Sequence, residues 1–229
     1  MIVKKYKAKI LKIENLVEGL YTLSFVSDGG KFRYLPGQFL HLALDSEYDG
    51  SGQWPESRCF SLQTSPDEKY AKITYSVKGK FTQQMQNKLI EGEEVWLKMP
   101  YGDLFQQEHN KENTIFISGG TGITPFLSLF TDSSFANYQN PVLYAGYRNP
   151  SFNVYETELK KAISINPNLK IKNFYQDTDG VLDIEKIFNE NNKEASYFIS
   201  GPIIMIRQFK QKLENNGVAL NNILTDDWE

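Results

Sequence analysis

The sequence predicts two domains of different class, an antiparallel six-stranded β-barrel of Greek-key type over residues 1–108 and a parallel α/β domain over 113–229. Three observations predict this. Apolar residues alternate with period two through the first half, the signature of half-buried strands. From residue 113 they gather into short runs separated by helix-period segments, the rhythm of a parallel sheet with helices on both faces. Between the two halves, Gln106-Gln107-Glu108-His109-Asn110-Lys111-Glu112-Asn113 is wholly polar.

The barrel elements follow in order. Lys4, Lys5, Lys7 and Lys9 alternate with Tyr6, Ala8 and Ile10, which reads as the solvated face of a first strand. Tyr21, Leu23 and Phe25 point one way, with Thr22, Ser24 and Val26 opposite. The pattern returns at Leu40, Leu42 and Leu44, at Ile73, Tyr75 and Val77, and at Val95, Leu97 and Met99. Turn signals separate these runs: Asp28-Gly29-Gly30, Pro36-Gly37, Asp49-Gly50-Ser51-Gly52 and Glu91-Gly92. Phe81, Met85 and Leu89 stand at i, i+4 and i+8 and mark one helix over 81–90.

In the second half, strands are expected at 115–117, 142–145, 171–175 and 197–199, with a weaker one near 218–224. Helices are expected near 124–131, 154–163, 181–190 and 202–215. The last carries Met205, Phe209 and Leu213 on one face and stops at Gly217.

Composition narrows the function classes. The chain has 229 residues, 40% hydrophobic and 23% charged, which is ordinary for a globular protein with a sizeable core. A net charge of −3 and the lack of a Lys/Arg cluster argue against nucleic-acid binding. Cys59 is the only cysteine, so an intrachain disulfide and a cysteine-ligated cluster are excluded. With only His41 and His109, a multi-histidine metal site is not expected. No stretch approaches a membrane span or a signal peptide, and a reduced cytoplasmic location is the expectation.

The most informative stretch is Ile115-Phe116-Ile117-Ser118-Gly119-Gly120-Thr121-Gly122-Ile123-Thr124-Pro125. It reads as strand, glycine-rich turn and helix start. Glycines let a backbone approach a diphosphate, and a helix N-terminus supplies unpaired N–H groups. Pro125 suits a first helical turn. The loop is neither G-x-G-x-x-G nor a Walker A sequence, and alone it also fits a tight turn without ligand. In the barrel half, Arg58-Cys59-Phe60-Ser61-Leu62-Gln63-Thr64 offers an arginine for a diphosphate, an aromatic ring two residues on, and a serine hydroxyl. By itself this segment also fits an ordinary strand with a surface arginine and a core phenylalanine.

Taken together, the chain resembles the ferredoxin–NADP reductase superfamily. Arg58, Phe60, Ser61 and Thr64 match its flavin motif R-x-[YF]-S-x-x-[ST], and Pro36-Gly37-Gln38-Phe39 is similar to its P-G-Q-[FY] turn. Gly79-Lys80-Phe81-Thr82 resembles the segment that caps a helix on the FAD diphosphate, and Pro100-Tyr101-Gly102 resembles the barrel-closing P-[FY]-G. Gly119 to Pro125 resembles the G-G-x-G-[IV]-[TA]-P loop, and Ser200-Gly201-Pro202-Ile203-Ile204-Met205 resembles C-G-P-x-x-M with Ser in place of Cys.

The resemblance implies a flavoprotein oxidoreductase that passes hydride from NAD(P)H to bound FAD and electrons on to a separate acceptor. That acceptor is a ferredoxin, a flavodoxin, an oxygenase component or a small molecule. It implies FAD contacts at Arg58, Phe60, Ser61, Thr64, Val77, Gly79, Lys80, Phe81 and Thr82. Nicotinamide-nucleotide contacts are implied at Gly120, Thr121, Gly122, Thr124, Pro125, Gly201, Pro202 and Met205. Ser61, Thr121 and Ser200 are implied beside the reacting rings, with Trp228 over the flavin. Arg148, after the second strand of the α/β domain, is placed at the adenosine ribose. No acid directly follows that strand, which leans the coenzyme toward NADPH and leaves NADH open. His41 is expected to be a strand residue without a catalytic part, and Cys59 a small packed or flavin-side residue. Two other readings stay open: a flavin or ferric reductase that uses flavin as a substrate, and a regulatory subunit that binds nucleotide without turnover.

Overall fold

A computed structural model describes residues 2–226. The chain divides into two compact units, Met1–Gly102 and Asp103–Glu229. Trp228, expected over the flavin, lies outside the described residues.

The first unit is a six-stranded antiparallel sheet of β1 (Lys4–Val17), β2 (Leu20–Ser27), β3 (Phe39–Ala43), β4 (Ser57–Ser61), β5 (Ala71–Ser76) and β6 (Glu94–Tyr101), with one helix, α1 (Lys80–Lys88). The strand order is β4-β3-β6-β1-β2-β5. Just past β4 the chain turns to β5, where the Gln63 N–H donates to the Lys72 carbonyl at 2.8 Å. The alternating residues fill one core: Ala8, Ile10, Leu23, Phe25, Leu40, Leu42, Ile73, Leu97 and Met99 are each almost wholly buried. Phe81 and Met85 of α1 join that cluster, as their helical spacing requires. Lys5, Lys7 and Lys9 stay exposed, and Lys7 pairs with Glu94 across the β1–β6 ladder. β2 departs from simple alternation. Thr22 and Ser24, on its second face, are also buried.

In the second unit five strands form a parallel sheet, β7 (Asn113–Gly119), β8 (Asn140–Tyr147), β9 (Lys170–Tyr175), β10 (Ser196–Ser200) and β11 (Ile223–Thr225). Their order is β11-β10-β7-β8-β9. Helices α2 (Thr124–Phe130) and α3 (Glu156–Ile165) pack on one face, around Phe116, Phe126, Phe130 and Phe198. On the other face lie α4 (Ile184–Asn189) and α5 (Ile203–Asn215), around Ile117, Ile187, Tyr197 and Phe209. The chain leaves β7 toward β8 and β9 on one side and returns to β10 and β11 on the other. The sheet therefore has a topological switch point between β7 and β10, at whose carboxyl end open α/β sheets leave a ligand crevice.

His109 sits in the polar stretch that the sequence marks, and the second unit uses it structurally. Its Nδ1 is 2.7 Å from the Gln107 carbonyl, and its Nε2 is 2.7 Å from the Tyr138 hydroxyl. A carbonyl only accepts, so Nδ1 carries the proton and Nε2 accepts from Tyr138. Burial lowers the His109 pKa below its ordinary value, against an opposing effect from the Gln107 bond, and Lys111 lowers it further. The native unit thus favours the neutral imidazole more than the unfolded chain does. Below about pH 6.5 the unfolded chain takes up the proton first, so stability falls as pH drops through that value. The expected result is a loss of thermal stability between pH 7 and pH 5.5 that is smaller in His109→Gln. Identical slopes for the two proteins would show that His109 does not contribute.

Candidate functional site

In the first unit, hairpin pairing of β4 with β3 sets the direction of the motif side chains. Phe39 pairs with Ser61, Leu40 with Phe60, His41 with Cys59 and Leu42 with Arg58. Phe60 is half-buried and packs edge-on to Tyr75 at 6.2 Å, with Tyr75 stacked on Tyr21. Arg58 is exposed, and its guanidinium lies 5.3 Å from the ring centroid of Phe81. This brings together two segments some twenty residues apart, the arginine of β4 and the first turn of α1. Gly79 caps that helix in extended conformation, and no acidic residue occupies its first turn. The Thr82 hydroxyl accepts from Lys78 N–H at 3.0 Å and Gly79 N–H at 3.1 Å, which fixes the entry to the helix. The first N–H groups of the helix itself have no intrahelical acceptor. A guanidinium beside a helix start is a donor set for an anion. Above Gly79 nothing lies within 4 Å of where a Cβ would stand, so the cradle is open.

Thr64, Val77 and Lys80 complete the group. Thr64 is buried, its hydroxyl 2.9 Å from the Tyr34 hydroxyl and accepting from Lys72 N–H at 3.2 Å. Val77 extends the β2–β5 ladder through its N–H to the Gly19 carbonyl at 2.8 Å. Lys80 is exposed at the first position of α1. On the opposite face of β4, the Cys59 sulfur lies 3.4 Å from His41 Nε2, and that imidazole is lowered in pKa by burial and by Lys98.

At the switch point of the second unit, the glycine-rich segment folds as a 3₁₀ turn, Gly120–Ile123, that runs directly into α2. The sequence assigned its glycines to ligand approach. The structure divides that task. A Cβ on Gly122 would stand 2.4 Å from the Ser200 carbonyl oxygen, and one on Gly119 would stand 2.9 Å from Pro202 Cδ and 3.0 Å from Met205 Sδ. Those two glycines let the loop after β7 pack against the loop after β10. Gly120 has φ +56° and nothing within 4 Å of its Cβ position, so it is the open one. Thr121 is half-buried, while Thr124 and Pro125 are buried, with the Thr124 hydroxyl donating to the Thr121 carbonyl at 2.9 Å. Ser118 Oγ, at the end of β7, is buried without a hydrogen-bond partner. A turn at a switch point with one glycine, Gly120, open to its surroundings fits a nucleotide ligand.

Ser200 ends β10 and is buried, and its Oγ donates to Asp226 Oδ2 at 3.0 Å. Asp226 was not singled out from the sequence, since nothing there pairs two residues so far apart. Gly201 follows with φ +150°, and Pro202 caps α5. Arg148 is exposed just past β8, its guanidinium 5.0 Å from the centre of the Phe152 ring. The Asp177 N–H donates to the Arg148 carbonyl at 3.3 Å, so an acidic residue from the loop after β9 stands at the same edge. Among the described residues no group of three or more His, Cys, Asp or Glu side chains could hold a metal, and no helix is long and apolar enough to cross a membrane.

Residues 116–211 match the oxidoreductase NAD-binding domain family. A ferredoxin NADP+ reductase from Neisseria gonorrhoeae, solved with bound FAD and NADP, superposes with a TM-score of 0.80 at 17% identity, over 98% of both chains. The chain has the two-domain ferredoxin–NADP reductase fold. Among curated relatives of this reductase-fold chain, Flavohemoprotein A of Dictyostelium discoideum is 24% identical over 83% of this chain and 51% of its own length. The glycine betaine monooxygenase reductase subunit of Pseudomonas aeruginosa is 28% identical over 70% of this chain and 44% of its own length. The chain thus spans about half the length of the curated relatives it matches.

Proposed function

We propose that the chain is an FAD-dependent NAD(P)H oxidoreductase whose first unit holds FAD and whose second unit binds the nicotinamide coenzyme. The observation that carries this reading is the convergence of Arg58 with the first turn of α1, 5.3 Å from the Phe81 ring. Two separate sequence segments there present a guanidinium and free N–H groups to one place, as a dinucleotide diphosphate requires. Arg58 and the Lys80–Thr82 backbone hold the diphosphate. Phe60 offers an aromatic face to the flavin ring, and Ser61 a hydroxyl to its edge. In the second unit the 3₁₀ turn at Gly120–Gly122 holds the coenzyme diphosphate, with Thr121 and Ser200 toward the nicotinamide. Bound flavin supplies the capacity to take hydride in one step and to release electrons singly or in pairs. The protein's part is positioning and electrostatics. Electrons leave to a separate acceptor of the ferredoxin, flavodoxin or oxygenase-component class, or to a small molecule.

The absorbance spectrum of the purified protein, before and after anaerobic NADH or NADPH, tests this directly. A yellow protein that bleaches with either coenzyme supports it. A colourless protein that consumes added flavin would replace it with the flavin-as-substrate reading. A yellow protein that neither coenzyme bleaches would favour a subunit without turnover.

Arg58→Ala removes a charge-assisted contact, and flavin affinity is expected to fall about tenfold to a hundredfold, on the order of 1.5–3 kcal/mol. Because Arg58 is exposed and its contact with the Phe81 ring is worth about 0.5–1 kcal/mol, the melting temperature of the flavin-free protein should move by only a few degrees. Retained wild-type affinity would remove Arg58 from the diphosphate site. Arg148 carries the lean toward NADPH, through a bond to the 2′-phosphate. The ratio of kcat/KM for NADPH over NADH is expected to fall in Arg148→Ala. An unchanged ratio would show that Arg148 does not read the 2′-phosphate.

A further inference from the structure

Arg58, proposed above for the flavin diphosphate, already has a carboxylate partner. Its Nη2 lies 3.4 Å from Glu56 Oε1, and its Nη1 donates to the Ser57 carbonyl at 2.8 Å. Glu56 stands two residues before Arg58, at the entry to β4, the spacing that puts strand side chains on one face. That entry is anchored on both sides of Glu56. Trp54 Nε1 donates to Ser57 Oγ at 2.9 Å, and the Trp54 ring packs edge-on to Tyr48 at 5.6 Å. Ser57 pairs with Ala43 of β3. Pro55, between Trp54 and Glu56, fixes its own φ. The carboxylate is therefore brought to the guanidinium by a braced segment. Its surroundings are otherwise suited to an anion. The first turn of α1 carries no acid, and Arg58 lies 5.3 Å from the Phe81 ring in that turn. A carboxylate here takes a donor of the guanidinium fork that a diphosphate would use, and it repels the diphosphate. The Arg58 and Glu56 side chains are 56% and 75% exposed, so water can solvate either charge and the pair can open.

We propose that Glu56 competes with the flavin diphosphate for Arg58 and so limits how tightly the protein holds its flavin. The proposal rests on the flavin reading given above. In the flavin-free protein Glu56 partners the guanidinium. Binding of FAD breaks that pair, gives the fork to the diphosphate and leaves the carboxylate close to a like charge. Part of what Arg58 contributes to binding is thereby cancelled. The cost falls only on flavins that carry phosphate. Riboflavin has none, makes no bond to Arg58 and is indifferent to Glu56. Arg58 creates a preference for FAD over riboflavin, and Glu56 reduces it. Glu56 is thus a specificity residue that takes no part in hydride transfer.

The test uses Glu56→Gln, which keeps the shape of the side chain and removes its charge. Fluorescence titration of the full chain, stripped of flavin, gives the Kd of FAD and of riboflavin for the parent, for Glu56→Gln, for Arg58→Ala and for the double variant. At low ionic strength the FAD Kd is expected to fall about three- to fivefold in Glu56→Gln, with the riboflavin Kd unchanged. The gain should shrink at about 1 M salt, where exposed charges are screened. It should also shrink in the Arg58→Ala background, where there is no guanidinium to compete for. An FAD Kd that is unchanged or raised in Glu56→Gln would overturn the proposal, and so would a gain shared by riboflavin. An equal gain with and without Arg58 would overturn it as well, since Glu56 would then act by repulsion alone. A parent protein that binds neither flavin would instead overturn the flavin reading itself.

Discussion

In Gly122→Ala the second unit is expected to melt roughly 10 °C below the parent protein. The added methyl would stand 2.4 Å from the Ser200 carbonyl oxygen, 2.5 Å from its carbon and 2.6 Å from Gly201 Cα. All three are backbone atoms, so no side chain can swing aside. Either the turn after β7 or the loop after β10 must move, and both are anchored to central strands of the sheet. Overpacking of this kind costs about 3 kcal/mol, which corresponds to a shift of that size for a unit of this length. The control is Gly180→Ala. Gly180 has φ +78° but open space around it, so it pays only the conformational cost of about 1 kcal/mol. Calorimetry on the two variants separates the effects. Equal melting temperatures would show that the loop after β10 yields without cost.

Much of this fold is legible because each half keeps one rhythm. Leu40 and Leu42, or Val95, Leu97 and Met99, alternate over a single buried face, and the strands fall where the pattern puts them. The same holds for Phe81 and Met85 in α1 and for Phe209 and Leu213 in α5. What escapes is the information carried between segments. Asp226 meets Ser200 only because β11 lies beside β10, and strand order is not written in local periodicity. The reason for each glycine is hidden in the same way. Gly119, Gly120 and Gly122 look alike in sequence, yet two are set by the packing of Met205, Pro202 and Ser200, and one faces open space. Thr64 matches the flavin motif by spacing, but its hydroxyl meets Tyr34 and the Lys72 backbone, partners supplied by other parts of the unit. The 3₁₀ turn is a further case. Three glycines before Thr124 predict a turn and then a helix, whereas the chain winds tightly from Gly120 and reaches α2 without a break.

Gly120→Val is expected to lower the rate of flavin reduction by NAD(P)H at least a hundredfold while flavin stays bound. Gly120 is the glycine of the turn with nothing within 4 Å of its Cβ position, so the space beside it is free for a ligand. Its φ of +56° lies in the left-handed region, which a β-branched residue resists. Valine acts twice. It fills the space beside the turn, and it pulls the backbone toward negative φ, which turns the N–H groups of Thr121 and Gly122 away from a diphosphate. A displacement of about 1 Å in a positioning loop is enough for a hundredfold loss of rate. Arg58, Phe60 and α1 all lie within Met1–Gly102, and the substitution alters none of them. Dithionite should therefore bleach the variant's flavin at the parent rate. Gly120→Ala gives the intermediate case, with the backbone cost but a smaller obstruction, and its rate should fall between the two. Coenzyme-driven bleaching of Gly120→Val at the parent rate would place the nicotinamide nucleotide away from this turn.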